Sequence, residues 1–220
     1  MTRSLPRAEG GGVPRALGAV PPAVLLPLAL LLVAGCREGR VPVPRVSPEE
    51  ASRQALAEYD RNGDGLLDAA ELERCPALNS CLKALDKNGD GRLSAEEIAD
   101  RLLVYQKSQV GLQAFACQVT LDGRPLAGAT ITFLPEPFLG RALKPARGVS
   151  DSRGMARLQE LGADPPGVPC GLFRVEVSKK DAGGREVVPA RYNTQSVLGQ
   201  EVAPDTEGRR GVVQFRLSSP

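Results

Sequence analysis

The chain has 220 residues, with 28 Lys and Arg against 26 Asp and Glu, and no histidine. The missing imidazole excludes Ser-His and Cys-His nucleophile pairs, His-ligated zinc and histidine general bases. The near-balanced charge includes no basic cluster interleaved with aromatics, which argues against a nucleic-acid partner.

Residues 1–36 read as a targeting segment. Arg3, Arg7 and Arg15 form a positive start, and Val20 to Ala34 form an apolar run broken by Pro21, Pro22 and Pro27. The run is short and proline-rich for a membrane span, although a cleaved signal peptide or a short anchor would share some of its features. The segment Val33-Ala34-Gly35-Cys36 resembles a bacterial lipobox. That resemblance implies cleavage after residue 35, a lipid on Cys36, and a membrane anchor made of acyl chains with no spanning helix. It also implies a bacterial cell-envelope location. Arg37, standing where an aspartate would signal inner-membrane retention, favours the outer membrane. Removing 35 of the 220 residues leaves 185, enough for one medium or two small domains.

Residues 36–46, with alternating Val and Pro, are expected to form an extended tether. Ser47-Pro48-Glu49-Glu50 is a helix start: Ser47 can cap, Pro48 suits the first position, and Glu50 is placed to complete a capping box. The helix should run to about Tyr59, with Ala51, Ala55 and Leu56 facing a core. Leu72, Leu78, Leu82, Leu85, Ile98, Leu102 and Leu103 would supply the rest.

Two twelve-residue segments follow, DRNGDGLLDAAE (Asp60 to Glu71) and DKNGDGRLSAEE (Asp86 to Glu97). A calcium ion takes six to eight hard oxygens, so a chain that wraps it must present an oxygen at about every second residue. In the first segment these come from Asp60, Asn62, Asp64, the Leu66 carbonyl, Asp68 and Glu71. In the second they come from Asp86, Asn88, Asp90, the Arg92 carbonyl, Ser94 and Glu97. Gly65 and Gly91 occupy the sharp turn, and Leu67 and Leu93 are apolar residues able to pair across the two sites. From Pro48 to Gln106 there are thirteen acidic and seven basic residues, an excess of negative charge that two divalent cations would largely neutralise. Over about Ser47 to Tyr105 these features resemble the EF-hand family, which implies two calcium ions. Only Leu72 to Leu85 separate the loops, with Pro76 among them, so the intervening helices are expected to be about two turns each.

Beyond Cys36 the cysteines are Cys75, Cys81, Cys117 and Cys170. An even number in an exported chain points to disulfides with three pairings available. Cys75–Cys81 and Cys117–Cys170 are the expected ones, buried free thiols the alternative.

From Gln113 the apolar period changes to two. Phe115, Cys117, Val119 and Leu121 alternate with polar or small residues, and Ala129 to Leu134 follows a turn at Asp122 to Pro125. Further strands are expected over Gly154 to Leu158, Leu172 to Ser178 and Val212 to Leu217. The runs VTLDGRPLAGATITFLPE, SDSRGMARL and GLFRVEVS resemble the carboxypeptidase regulatory-like (transthyretin-like) sandwich, which implies seven antiparallel strands and an accessory, non-catalytic role. The expected fold is thus α+β in two domains: an EF-hand pair at 47–106, a linker at 107–112 and a β-sandwich at 113–220. The expected function is calcium binding without catalysis, beside an unidentified protein or glycan partner. A calcium-tuned carrier of a glycan or small ligand is the alternative, weakened by the absence of Trp for stacking on a sugar.

Overall fold

Ser47 starts the helical half as expected. Its hydroxyl accepts from the Glu50 N–H at 3.4 Å at the head of α1 (Pro48–Tyr59). The reciprocal half of the capping box is not formed, because the Glu50 carboxylate pairs one turn onward with Arg53 and Gln54. Then come β1 (Leu66–Leu67), α2 (Ala69–Leu72), α3 (Pro76–Ser80), α4 (Leu82–Leu85), β2 (Leu93–Ser94) and α5 (Ala95–Lys107). The outer helices α1 and α5 pack on each other. The stretch between the loops is three helices of about one turn where two of two turns were expected. Pro76, which has no N–H to continue α2, starts α3 instead.

This is a computed structural model that describes residues 41–205 and 212–219. The expected leader and Cys36 lie outside the described residues. Among the described residues no helix is long and apolar enough to cross a membrane.

The second half contains β3 (Phe115–Leu121), β4 (Arg124–Pro125), β5 (Thr130–Pro135), β6 (Ala146–Val149), β7 (Met155–Glu160), β8 (Gly171–Ser178), β9 (Leu198–Val202) and β10 (Val213–Leu217). Their order is β10-β3-β7-β6-β5-β8-β9, with the two-residue β4 beside β3. The α+β architecture is as expected, with seven strands on the main path. Two details differ. The last strand runs parallel to β3 (Phe215 beside Val119), while the other pairs in this sheet are antiparallel. The sheet is also continuous, because β6 and β7 pair over Ala146↔Glu160 and Arg147↔Gln159. It curls far enough to enclose its own core. Phe215 on β10 lies 6.3 Å from Phe133 on β5, although β3, β7 and β6 stand between them along the sheet. Phe133 also meets Phe115 at 5.2 Å and Phe173 at 5.7 Å. The period-two residues Cys117, Val119, Ile131, Leu158, Val175, Val177 and Leu217 fill the rest of this interior.

The helical half covers the outer face of the sheet at its β8–β9 end, where α3 lies across both strands. Contact is closest at Gly199, where a Cβ would stand 1.8 Å from the Pro76 carbonyl oxygen. Helices and sheet therefore share one buried cluster, and the described residues all fall within the compact unit Gly39–Pro220. The described end of the expected tether belongs to it as well. The Val41 carbonyl sits 2.1 Å from where a Cβ on Gly111 would be, and Gln106 donates to the Val46 carbonyl.

The four described cysteines, Cys75, Cys81, Cys117 and Cys170, are buried free thiols, so neither expected disulfide is formed. Cys75 and Cys81 flank α3, and six residues of helical rise separate them by roughly 9 Å, beyond the ~7 Å that a bridge allows. The Cys81 thiol donates to the Ala77 carbonyl at 3.1 Å. Cys117 points into the sheet interior, whereas Cys170 accepts from Gln113 at 3.5 Å. Burial pushes the Cys117 thiol up to about 12 and Cys170 to about 11.

The Gly199 contact gives a direct test of how helices and sheet are joined. Gly199→Ala is expected to lower stability by about 1–3 kcal/mol, read as an earlier urea midpoint. An unchanged midpoint would show that α3 does not rest on β9.

Candidate metal centre

The two loops fold with one hydrogen-bond scheme. In the first, Asp60 accepts from Gly63 N–H at 2.7 Å and from Gly65 N–H at 2.9 Å. Asp86 repeats this with Gly89 at 2.6 Å and Gly91 at 2.9 Å. Asn62 Oδ1 accepts from Asp64 N–H, and Asp64 Oδ1 from Leu66 N–H; Asn88, Asp90 and Arg92 do the same in the second loop. Short carboxylate and amide side chains thus fold the chain back on itself every second residue. That periodicity needs a left-handed backbone at Gly65 (φ 82°) and Gly91 (φ 79°), which glycine adopts without a steric cost.

The closing glutamates are buried and reach back to the loop entrance. Glu71 Oε1 accepts from Arg61 N–H at 2.7 Å and its Oε2 from Asp68 N–H at 2.9 Å; Glu97 accepts from Lys87 and Ser94 N–H, each at 3.0 Å. These bonds from Asp68 and Arg61 hold the Glu71 carboxyl below its ordinary range. Burial opposes ionisation of Glu97, but its bonds from Ser94 and Lys87 outweigh it and lower that group as well. The ninth-position residues have a role that their spacing as ligands did not reveal. Asp68 caps α2 and Ser94 caps α5, each in a full capping box with the closing glutamate.

The loops sit back to back. β1 and β2 pair antiparallel with Leu66 opposite Ser94 and Leu67 opposite Leu93, and both of these leucines are fully buried, as their position predicted. All twelve expected ligand residues are therefore in two equivalent loops joined by one short ladder. Among the described residues no three carboxylate or thiol side chains are gathered closely enough to hold a metal; the loop carboxylates are engaged with backbone N–H groups instead. The donor set still suits a hard cation. It is made wholly of oxygens, and each oxygen of Asp60 and Asp86 that accepts one N–H keeps a second lone pair.

One charge was missed by ligand spacing. Arg92, expected to contribute its carbonyl, sends its guanidinium to Asp64 of the first loop and Asp90 of the second, each at 3.9 Å.

The EF hand family model matches residues 53–76 and 78–103, each match taking in one loop and its flanking helices. No curated protein and no solved structure matches the chain. The helical half is an EF-hand region, and calcium is the ligand that it implies.

Because Arg92 competes for two carboxylates of the loops, Arg92→Ala is expected to tighten calcium binding. An exposed pair of this kind is worth about 0.2–1 kcal/mol, a gain of roughly 1.4- to 5-fold. The gain should be larger in low salt. Calorimetric titration measures it, and weaker binding by the variant would reverse the assignment.

Proposed function

We propose that this is a non-enzymatic calcium-binding protein of the bacterial cell envelope, anchored by lipid on Cys36. Two calcium ions, one per loop, would make the helical half rigid and fix it to the β-sheet. The sheet in turn serves as an interaction module for a protein or glycan partner. The observation that carries the calcium part is the pair of loops with matching bond patterns, locked together by β1 and β2.

The physical case rests on charge. Loop one carries Asp60, Asp64, Asp68 and Glu71 within twelve residues, and loop two carries Asp86, Asp90 and Glu97, so closing either loop around an ion brings like charges together. Backbone N–H groups offset part of their mutual repulsion, and a divalent cation supplies the remainder, so its binding energy adds to folding. The short helices between the loops favour a structural role for the ion over the wide opening of a sensor. The resemblance of the second half to carboxypeptidase regulatory-like domains supports an accessory role. The lipobox resemblance supports the anchor, which metabolic labelling of wild type and Cys36→Ala with a fatty acid would test.

Calorimetry of the wild type is expected to give two sites, and Glu71→Gln or Glu97→Gln to remove one each. Chelation should lower the melting temperature by several degrees, since a ligand at 100 times its Kd adds about 2.7 kcal/mol. A stoichiometry of zero would end the calcium reading.

A further inference from the structure

Glu97 closes the second loop, and the same stripe of α5 continues into the sheet. Four residues on, Arg101 donates from Nε to Glu201 of β9 at 2.5 Å and from both terminal nitrogens to Asp205, each at 2.8 Å. Four residues further, Tyr105 donates its hydroxyl to the same Glu201 oxygen at 2.5 Å. Glu97, Arg101 and Tyr105 are spaced i, i+4, i+8, so they lie along one side of the helix, and all three are buried. Glu201 is 2% exposed. Burial opposes the charge of Arg101, and the bonds it donates to Glu201 and Asp205 more than offset it.

We propose that Arg101 is the positioning residue that links calcium at the second loop to the β9 edge of the sheet. This rests on the calcium reading above and adds a route for it. A rigid helix carries at one end the carboxylate that closes the loop, and one turn later a guanidinium bound to the edge strand. The buried bond to Glu201 fixes the distance of α5 from the edge strand, and the bidentate fork toward Asp205, which is half exposed three residues past β9, limits the rotation of the guanidinium. An α5 that shifts when the loop fills must either drag β9 or break a buried ion pair. By reciprocity, whatever loosens β9 must weaken calcium at the second loop. The first loop is joined to the sheet through a different carboxylate, Glu136, and reaches Arg101 only through the β1–β2 ladder and the packing of α1 on α5.

The test is backbone hydrogen exchange of the full chain with and without calcium, together with calorimetry. In the wild type, calcium is expected to slow exchange of the β9 amides by about tenfold or more beyond the slowing seen at the inner strand β3, which reports the global gain in stability. In Arg101→Gln that added protection should largely disappear, and binding at the second loop, isolated by Glu71→Gln, should weaken by about tenfold. Binding at the first loop, isolated by Glu97→Gln, should weaken clearly less than binding at the second. Arg101→Lys keeps the charge but lacks the fork, so it should restore part of the effect. Should Arg101→Gln fail to fold, Glu201→Gln replaces it with the same expectations. Two bound ions with no calcium-dependent protection of β9 would overturn the coupling and leave the calcium reading intact. Protection retained in Arg101→Gln would overturn the role of Arg101. No bound ion would overturn both.

Discussion

Two buried carboxylates, Glu201 and Glu136, tie the helices to the sheet, the first accepting from two donors and the second with one oxygen, Oε1, left without a hydrogen bond among the described residues. Glu201 is met by Arg101 and Tyr105 from α5. Glu136, 1% exposed, is met by the Tyr59 hydroxyl from α1 at 3.2 Å and by Arg174 from β8 at 3.6 Å. Burial still raises the Glu136 carboxyl, opposed by Arg174 and Tyr59. An unpaired buried charge costs several kcal/mol, so each carboxylate penalises any arrangement that separates the two halves. Apolar packing alone would allow sliding. These directed bonds fix one relative placement.

That constraint changes how the EF-hand region can respond to its ion. Where sensors open, the helices flanking a loop swing apart to expose a groove. Here α1 and α5 pack on each other and each is tied to the sheet by a buried tyrosine–carboxylate bond. On the proposed function, the energy of binding calcium goes into rigidity. The helical half does not stand alone for its stability, because Leu67, Leu72, Leu78, Leu85, Leu93 and Ile98 are buried in the same cluster as the sheet.

The loops were legible because their geometry depends on side chains at fixed spacing. Each Asp and Asn from Asp60 to Asp64 and from Asp86 to Asp90 bonds a backbone two to five residues away, so the structure is written within twelve residues. The long strands β3, β5 and β8 were legible for a similar reason, since one face is buried and the other is not. β9 was not, because α3 covers the face that would otherwise be polar. Its LGQEV carries Gly199 for close approach and Glu201 for Arg101, and shows no alternation. β6 was hidden by its length and by Gly148, which is required because a Cβ would lie 2.3 Å from the Arg157 carbonyl. The cysteine pairing failed because spacing along the chain says nothing about direction in space. Nor does a lone arginine announce its partner: Arg101 and Glu201 are a hundred residues apart.

The anchoring points follow the order of the chain in a way that has a mechanical consequence. Tyr59, bound to Glu136, is the residue immediately before Asp60, the entrance of the first loop. Arg101 is four residues after Glu97, the exit of the second. Between them, Pro76 rests on Gly199, so the connector is held as well. The two-loop unit is therefore fixed at its start, its middle and its end on one sheet. Beyond those points, its freedom is confined to the loops themselves, whose residues are mostly exposed and bonded to their own backbone. On the proposed function, calcium in both loops tightens this three-point hold, and the strain of adapting to the ion falls on the loop side chains and on the β9 edge.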